Sequence, residues 1–387
     1  MGVKPFKINL KQEILDDLRA RLARTRWTDE IAGAGWDYGT NLSYLKELCS
    51  YWRNEFDWRR QEKYLNSFHH FRADVDGLGI HFIHERGRGK DPLPLLLIHG
   101  YPDSFFRFHK IIPMLTDPEN NGGKAQDAFD VVVPSIPGYG FSDRPKEKGM
   151  NTQRIAELFA ELMIDGLDYN RFGGHGGDWG SSITEQLALN HADSLIGIHL
   201  TDIPYHHLFQ VPPKDLSGAE QKYLEAGKKW QMAEGAYAMI QATRPQTLAS
   251  GLNDSPAGLA GWIIEKFRLW SDSGGDVESR FTRDELLTNL TIYWATETIN
   301  SSFRIYYETM RNPPSNAAKR VAVPTGAAIA PKDLVPAPRA FAERFFNLQH
   351  WTELPRGGHF AALEEPELLV EDIRAFFRPL RNAGRSN

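Results

Sequence analysis

Apolar positions along the first 70 residues repeat with helical spacing. In KQEILDDLRARLART, Leu15, Leu18 and Leu22 fall on one face of a helix, and NLSYLKELCSYWRNEF repeats the pattern. We therefore predict that residues 1–70 form an N-terminal extension made of helices rather than strands.

From Phe71 onwards the pattern becomes that of strands alternating with helices. FRADVDGLGIHFIHERG predicts a hairpin that turns at Asp76-Gly77. PLPLLLIHG, FDVVVPSIPG and SLIGIHLTDIP are continuous apolar runs, typical of parallel strands buried on both faces, and amphipathic segments separate them. Residues 71–204 are therefore predicted to form the first part of an α/β core, with a mostly parallel central sheet and helices on both faces.

The alternation stops after Pro204 and later returns. From Leu216 to about Met310 only helical patterns occur, and such an insertion into an α/β domain is typical of a lid, which we assign to residues 205–317. RVAVPTGAAIA and LQHWTELP are then strand-like, and EPELLVEDIRAFFRPL is helical. Residues 318–387 are predicted to complete the core.

Composition and charge narrow the class of protein. A net charge of −5 over 387 residues argues against a nucleic-acid or anionic-membrane partner. The single Cys49 excludes an internal disulfide and a cysteine metal cluster. No signal peptide precedes Pro5 and no apolar run reaches the length of a membrane span, so we expect a soluble, cytoplasmic protein.

The most informative motif is Gly-x-Asp-x-Gly at residues 176–180, centred on Asp178. This is the spacing of a nucleophile elbow, a tight turn between a strand and a helix, with aspartate where a serine hydrolase has serine. An aspartate that attacks an sp3 carbon forms an ester, which water can cleave, whereas serine would form a stable ether. The motif therefore indicates substrates such as epoxides or alkyl halides.

Other interpretations of this motif must be weighed. A dinucleotide-binding G-x-G-x-x-G starting at Gly174 would need glycine at Trp179, so that interpretation fails. Asp178 as a surface residue of an ordinary loop, or as the N-cap of the following helix, stays open on this motif alone.

Turnover of an ester requires a base that activates water, and histidine suits this role because it titrates near neutral pH. His359, in RGGHFAALEEPE after the last predicted strand, comes late in the chain as such bases do. Asp333, after the preceding strand, is the candidate acid that orients it, and Asp202 is its rival.

Three other histidines are weaker candidates for the base. His99 is interpreted as structural, and the pair His206-His207 has no carboxylate spaced to serve it.

An oxyanion on the ester needs preorganised donors. We assign them to the backbone N–H groups of Tyr101, in HGYPDS, and of Trp179, which follows the nucleophile.

Several motifs together resemble the microsomal-type epoxide hydrolases of the α/β-hydrolase fold, from about Pro5 to about Leu380; they are HGYPDS, PSIPGYGFSD, GGDWGS, LNDSP and RGGHFAALEEPELLVEDIRAFF. The resemblance implies conversion of an epoxide to a vicinal diol, without metal or organic cofactor. It implies Asp178 as nucleophile, His359 as base and Asp333 as acid. It also implies two lid tyrosines, Tyr237 and Tyr306, that donate to the epoxide oxygen. A phenol suits this role because ring opening produces an alkoxide that needs a proton.

The resemblance leaves some points open. Tyr307 is the alternative to Tyr306, since one residue rotates a helical side chain by about 100°. The family usually has HGWPGS where this chain has HGYPDS, and RFGGHG replaces an apolar strand before the elbow. The N-terminal anchor of membrane-bound members is absent from this sequence, so we expect no membrane partner.

Two further functions are alternatives: a haloalkane dehalogenase-like hydrolase with the same nucleophile, and a non-catalytic binding protein of the fold. The paired lid tyrosines favour the epoxide hydrolase. Small-molecule epoxide and water are the expected partners, and a homodimer is an open option.

Overall fold

A nine-stranded sheet forms the centre of the computed structural model, which describes residues 2–316 and 319–383. The strands are β1 (Val3–Pro5), β2 (His70–Val75), β3 (Leu78–Glu85), β4 (Leu93–Ile98), β5 (Phe129–Pro134), β6 (Phe172–Gly176), β7 (Leu195–Leu200), β8 (Val321–Ile329) and β9 (Phe346–Glu353). Their order across the sheet is β1-β2-β3-β5-β4-β6-β7-β8-β9. In this order, the first three pairs of neighbours, up to β3 with β5, are antiparallel. The other five, from β5 with β4 to β8 with β9, are parallel, which confirms the predicted mostly parallel sheet.

Helices occupy most of the remaining described residues. They are α1 (Gln12–Ala23), α2 (Leu42–Asn54), α3 (Trp58–Leu65), α4 (Ile111–Thr116), α5 (Thr152–Glu161), α6 (Trp179–Asn190), α7 (Gly218–Ala233), α8 (Ala236–Thr243), α9 (Pro245–Asp254), α10 (Pro256–Trp270), α11 (Arg283–Thr296), α12 (Ile299–Arg311), α13 (Arg339–Phe345), α14 (Ala361–Glu364) and α15 (Pro366–Ala383).

Helices cover both faces of the sheet, as two adjacent glycines of β6 demonstrate. A Cβ atom on Gly173 would lie 2.6 Å from the ring of Phe377 on α15. A Cβ atom on Gly174 would lie 3.1 Å from Thr184 on α6. Successive residues of a strand point to opposite faces, so α15 and α6 lie on opposite sides. The missing side chains, which weaken a strand by themselves, leave room for both helices to approach.

The hairpin predicted at Asp76-Gly77 is present between β2 and β3. Val75 pairs with Leu78, and the two intervening residues have φ of +50° and +76°. Two consecutive positive φ values are typical of the turn whose twist matches antiparallel strands, and Asp-Gly favours it.

The prediction that residues 1–70 contain no strand was wrong, because β1 pairs with β2 at the edge of the sheet. Three half-exposed residues are too short a run to show a strand period, and Pro5 is tolerated because an edge strand need not donate every hydrogen bond. The other regular elements before β2 are helices, as predicted: α1, α2 and α3. Trp52 of α2 is buried and donates from Nε1 to Thr291 Oγ1 of α11 at 3.0 Å.

Helices α7–α12 come between β7 and β8, where the lid was predicted. The predicted boundary between residues 317 and 318 lies outside the described residues, and the division into extension, core and lid stays a prediction. Among the helices that are described, none combines the length and apolar character needed to cross a bilayer.

Candidate active site

Asp178 lies at a strained turn between β6 and α6, with φ +60° and ψ −127°. Side chains rarely adopt this backbone conformation, which persists only where the surroundings impose it. A Cβ atom on Gly176 would lie 2.2 Å from the carbonyl oxygen of Gly180, and one on Gly180 would lie 2.0 Å from that of Ile98. Both glycines of the motif are therefore required by the close approach of backbone to backbone.

The two oxygens of the Asp178 carboxylate have different neighbours. Oδ1 accepts a hydrogen bond of 2.8 Å from the backbone N–H of Tyr101, and the backbone N–H of Trp179 also donates to this carboxylate. Oδ2 lies 3.3 Å from Nε2 of His359. Only 12% of the side chain is exposed, so Asp178 is not a solvated loop residue.

His359 follows β9 and Asp333 follows β8, and the structure brings them together. Nδ1 of His359 lies 2.7 Å from Oδ1 of Asp333. A carboxylate there accepts a hydrogen bond from Nδ1–H and directs Nε2 towards Asp178, which is the arrangement of a hydrolytic triad.

The pKa values of His359 and Asp178 determine which of them is charged at neutral pH. Burial lowers the pKa of His359, but the carboxylates of Asp333 and Asp178 outweigh burial and raise the pKa to about 10. Burial raises the pKa of Asp178, but His359 and the amides of Tyr101 and Trp179 outweigh it and leave the pKa below its ordinary value. At neutral pH the resting pair is an imidazolium and a carboxylate.

Asp202, the rival for the acid role, makes different contacts. Its Oδ1 accepts hydrogen bonds from the backbone N–H of Asp178 at 2.7 Å and from the hydroxyl of Ser181 at 2.9 Å. Burial and the nearby charge of Asp333 raise the pKa of Asp202. Asp202 therefore supports the backbone of the turn, whereas Asp333 contacts the imidazole.

Tyr237 of α8 and Tyr306 of α12 lie near Asp178. Their rings lie 6.1 Å apart, and the ring of Tyr101 lies 6.3 Å from the first and 5.7 Å from the second. The ring of Tyr306 also contacts that of Trp179 edge-on, at 4.7 Å. Tyr307 instead packs its ring under the guanidinium of Arg311, at 4.3 Å. The phase of α12 thus brings Tyr306, and not its neighbour, towards Asp178.

Both phenols keep their protons at neutral pH. Burial, followed by the negative charge of Asp178, raises the pKa of Tyr237 well above its ordinary value. Burial, followed by neighbouring Tyr237 and Asp178, does the same to the pKa of Tyr306. The hydroxyl of Tyr306 is buried next to Tyr237 and makes no hydrogen bond of normal geometry within the described part of the chain. It is available to donate to a substrate.

Sequence reasoning missed Arg107, which links two loops of the site. This buried guanidinium pairs with Asp103 at 2.7 Å and donates to the backbone carbonyl of His359. The loop that supplies the Tyr101 amide is thereby bound to the loop that carries the base. The spacing of Asp103 and Arg107, four residues apart, was the available signal. It also gives the aspartate of HGYPDS a structural role.

We expect the free energy of unfolding to fall at alkaline pH, because His359 then loses its proton. Its pKa of about 10 in the folded protein exceeds its ordinary value of 6.5, so its contribution is fully present below pH 6.5 and is lost as pH rises through 10. Between about pH 7 and pH 10, the free energy of unfolding should fall a few kcal/mol more in the wild type than in His359→Gln. Urea titrations of both proteins at the two pH values measure the difference, and equal losses would contradict the ion pair.

Two regions of the chain match known families. Residues 3–108 match the family described as "Epoxide hydrolase N terminus", and residues 94–366 match the family described as "alpha/beta hydrolase fold".

Known proteins are similar over nearly the whole chain. A protein of Stigmatella aurantiaca is 45% identical over 98% of this chain and 86% of its own length. Epoxide hydrolase 1 of Sus scrofa is 40% identical over 97% of this chain and 88% of its own length. The solved structure of Aspergillus niger epoxide hydrolase has a TM-score of 0.86 and 31% identity, and the match covers 98% of this chain and 97% of that one.

Proposed function

Because this chain belongs to the epoxide hydrolases of the α/β-hydrolase fold, which convert an epoxide and water into a vicinal diol, we propose that Asp178 is its nucleophile and that His359, oriented by Asp333, is its base. The observation that carries the proposal is the convergence on one carboxylate. One oxygen of Asp178 meets the Tyr101 amide at 2.8 Å, and the other lies 3.3 Å from the imidazole.

In the first step, a carboxylate oxygen of Asp178 attacks one ring carbon of the epoxide from the side opposite the ring oxygen. The new C–O bond forms while the ring C–O bond breaks. The departing oxygen takes a proton from the phenol of Tyr237 or Tyr306, which leaves a hydroxyalkyl ester and a tyrosinate. Two phenols on different helices also hold the ring oxygen in line with the attack.

Alkylation converts His359 into a base. The ester carries no charge, so one of the two carboxylates that raise the pKa of His359 is lost. The imidazolium then gives its proton, through solvent, to the tyrosinate. The result is a neutral imidazole beside an ester.

The second step hydrolyses the ester. His359 takes a proton from a water molecule whose oxygen bonds to the carboxyl carbon of Asp178, and the amides of Tyr101 and Trp179 stabilise the oxyanion. Collapse breaks the ester C–O bond, and the departing diol oxygen takes the proton from His359. The carboxylic acid of Asp178 then protonates the imidazole, which restores the resting ion pair.

The roles of the tyrosines are tested by removing one hydroxyl at a time. We expect Tyr237→Phe and Tyr306→Phe each to slow alkylation by about 10- to 100-fold without abolishing it, because the other phenol still donates a proton. The double variant should lose at least about 10³-fold. Single-turnover mixing with styrene oxide, quenched and analysed by intact mass, measures the rate of ester formation.

Tyr307→Phe is the matched control, since this residue lies next to Tyr306 on α12 and its ring contacts Arg311. Its alkylation rate should equal that of the wild type. A slow Tyr307 variant with an unaffected Tyr306 variant would reverse the assignment.

A haloalkane is the second substrate class that this nucleophile could attack. The indole N–H of Trp179 favours this class, because it could donate a hydrogen bond to the departing halide. It is buried and has no hydrogen-bond partner among the described residues. Halide release from a chloroalkane, measured beside diol formation from styrene oxide, separates the two classes.

The proposal also covers the partners, the location and the oligomeric state of the enzyme. The net charge of −5 supports a small-molecule substrate over a nucleic-acid partner. We propose a cytoplasmic enzyme, and sedimentation at several concentrations tests the homodimer.

A further inference from the structure

A carboxylate and two imidazoles converge at the start of the segment between β7 and the lid helices. Glu185 lies on α6, and His206 and His207 lie in a short 3-10 helix, Tyr205–Phe209. The expectation that these histidines have no carboxylate to serve them was wrong. Glu185 comes 21 residues before His206 in the chain, but α6 packs against β7 and brings it into contact.

The three side chains present ligand atoms to one point. His207 Nε2 lies 2.5 Å from Glu185 Oε1, and His206 Nε2 lies 3.5 Å from Glu185 Oε2. One ligand atom from each of the three residues falls within 4.8 Å of the others. Glu185 and His207 are buried, whereas 38% of the His206 side chain is exposed. The ligand atoms therefore lie below the protein surface, and His206 is the one of the three side chains that also reaches solvent.

Two of these atoms lack the partners that buried polar atoms normally have. Glu185 Oε2 and His206 Nε2 are both buried and face each other at 3.5 Å, but neither makes a hydrogen bond within the described residues. Each such atom costs free energy unless something binds it. The Glu185 side chain is 1% exposed.

A second group of one carboxylate and two imidazoles has both of its carboxylate oxygens hydrogen-bonded. Asp372 contacts His199 Nε2 at 2.8 Å through one oxygen and His350 Nε2 at 3.0 Å through the other. There each carboxylate oxygen accepts its own hydrogen bond. At Glu185 only one oxygen is satisfied.

Gln210 orients one of the imidazoles. Its Oε1 lies 3.0 Å from His207 Nδ1 and can accept the hydrogen of that nitrogen. This contact leaves Nε2 of His207 as the ligand atom. Imidazoles that bind metals are commonly held in this way by a hydrogen bond to the other nitrogen.

We propose that Glu185, His206 and His207 bind one transition-metal dication of the Zn²⁺ class. Two imidazole nitrogens and a carboxylate oxygen are a donor set that Zn²⁺ takes, with water in the remaining position. Ligand atoms about 2.0–2.2 Å from an ion stand about 3.3 Å apart. His206 is 3.5 Å from one oxygen of Glu185, close to this separation, and His207 is 2.5 Å from the other oxygen and needs to move away by less than about 1 Å. The three ligand atoms lie within 4.8 Å of one another, so small side-chain rotations would close the set around an ion.

The bound ion would act as a structural tie, since it would join α6, the helix that begins beside the nucleophile, to the segment that enters the lid. It would not take part in the hydrolysis of the epoxide. The proposal is independent of the roles assigned to Asp178 and His359.

Titration calorimetry of the metal-free protein with ZnCl₂ tests the site. We expect one ion per chain with a dissociation constant in the micromolar range or tighter, and a melting temperature that rises with the Zn²⁺ concentration. In His206→Asn and Glu185→Gln the affinity should fall at least about 100-fold. Co²⁺ should give the visible absorption of a nitrogen-ligated ion in the wild type alone.

His350→Asn is the matched control, because it removes a histidine from the Asp372 group and should leave Zn²⁺ binding unchanged. Absence of one-to-one binding in the wild type would overturn the proposal. So would binding that persists in His206→Asn, which would place the ion at another group such as Asp178 and His359. The exposed position of His206 makes this variant decisive even where Glu185→Gln fails to fold.

Discussion

Asp178→Asn should lose diol formation by at least about 10⁴-fold in kcat, because an amide oxygen cannot displace the ring oxygen to form the ester. The side chain is nearly isosteric and can still accept from the Tyr101 N–H, which donates to Oδ1 at 2.8 Å in the wild type. The turn should therefore keep its shape while it loses its nucleophile. Chromatographic measurement of diol from styrene oxide over several enzyme concentrations gives the residual rate.

Asp193→Asn provides the control for the same chemical change, since Asp193 is exposed in the loop after α6. It should retain wild-type activity, and circular dichroism should show both variants folded. Retention of more than about one-tenth of the wild-type rate by Asp178→Asn would contradict a role as nucleophile.

His359→Gln should trap the ester. Without an imidazole to deprotonate water, hydrolysis should slow by at least about 10³-fold, while Asp178 can still attack. Intact mass after exposure to styrene oxide should show close to one added epoxide per chain, and peptide mapping should place it on Asp178. The wild type under the same conditions should return to its unmodified mass.

The double variant Asp178→Asn, His359→Gln separates this adduct from unspecific alkylation, and it should show none. His69→Gln, at an exposed histidine that pairs with Glu85, should behave like the wild type. An adduct that survives in the double variant, or a His359 variant that makes diol at the normal rate, would refute the two-step mechanism.

The core of the fold was predictable because its strands are buried on both faces. Leu93–Ile98 and Phe129–Pro134 are continuous apolar runs bounded by turn residues, and parallel strands place their carboxyl ends at one edge. For that reason the positions of Asp333 and His359 after β8 and β9 could be inferred from order alone.

Other features depend on contacts that no local pattern contains. Strand β1 exists because Val3–Pro5 pairs with β2, which lies more than 60 residues later in the chain. Asp202 and Asp333 both follow parallel strands, so spacing could not show that the first contacts backbone and the second contacts His359. The side of α12 that faces the nucleophile is set by packing, and it distinguishes Tyr306 from Tyr307.

The convergence of Glu185 on two histidines was invisible for the same reason. Residues 206 and 207 are neighbours in the chain, and their rings lie 4.1 Å apart at a tilt of 38°. They share one carboxylate only through the packing of α6 on the sheet. A search for a carboxylate at short spacing from these histidines could not find it.

The proposed proton donors and the proposed nucleophile lie on separate parts of the chain: Tyr237 and Tyr306 on helices inserted between β7 and β8, and Asp178 at the turn after β6. Engineering can exploit this separation. Libraries confined to the inserted helices, with the two tyrosines fixed, should reshape enantiomer and size preference while the ester chemistry stays intact. Evolution had the same freedom, so relatives with one reaction can diverge widely in the epoxides they accept.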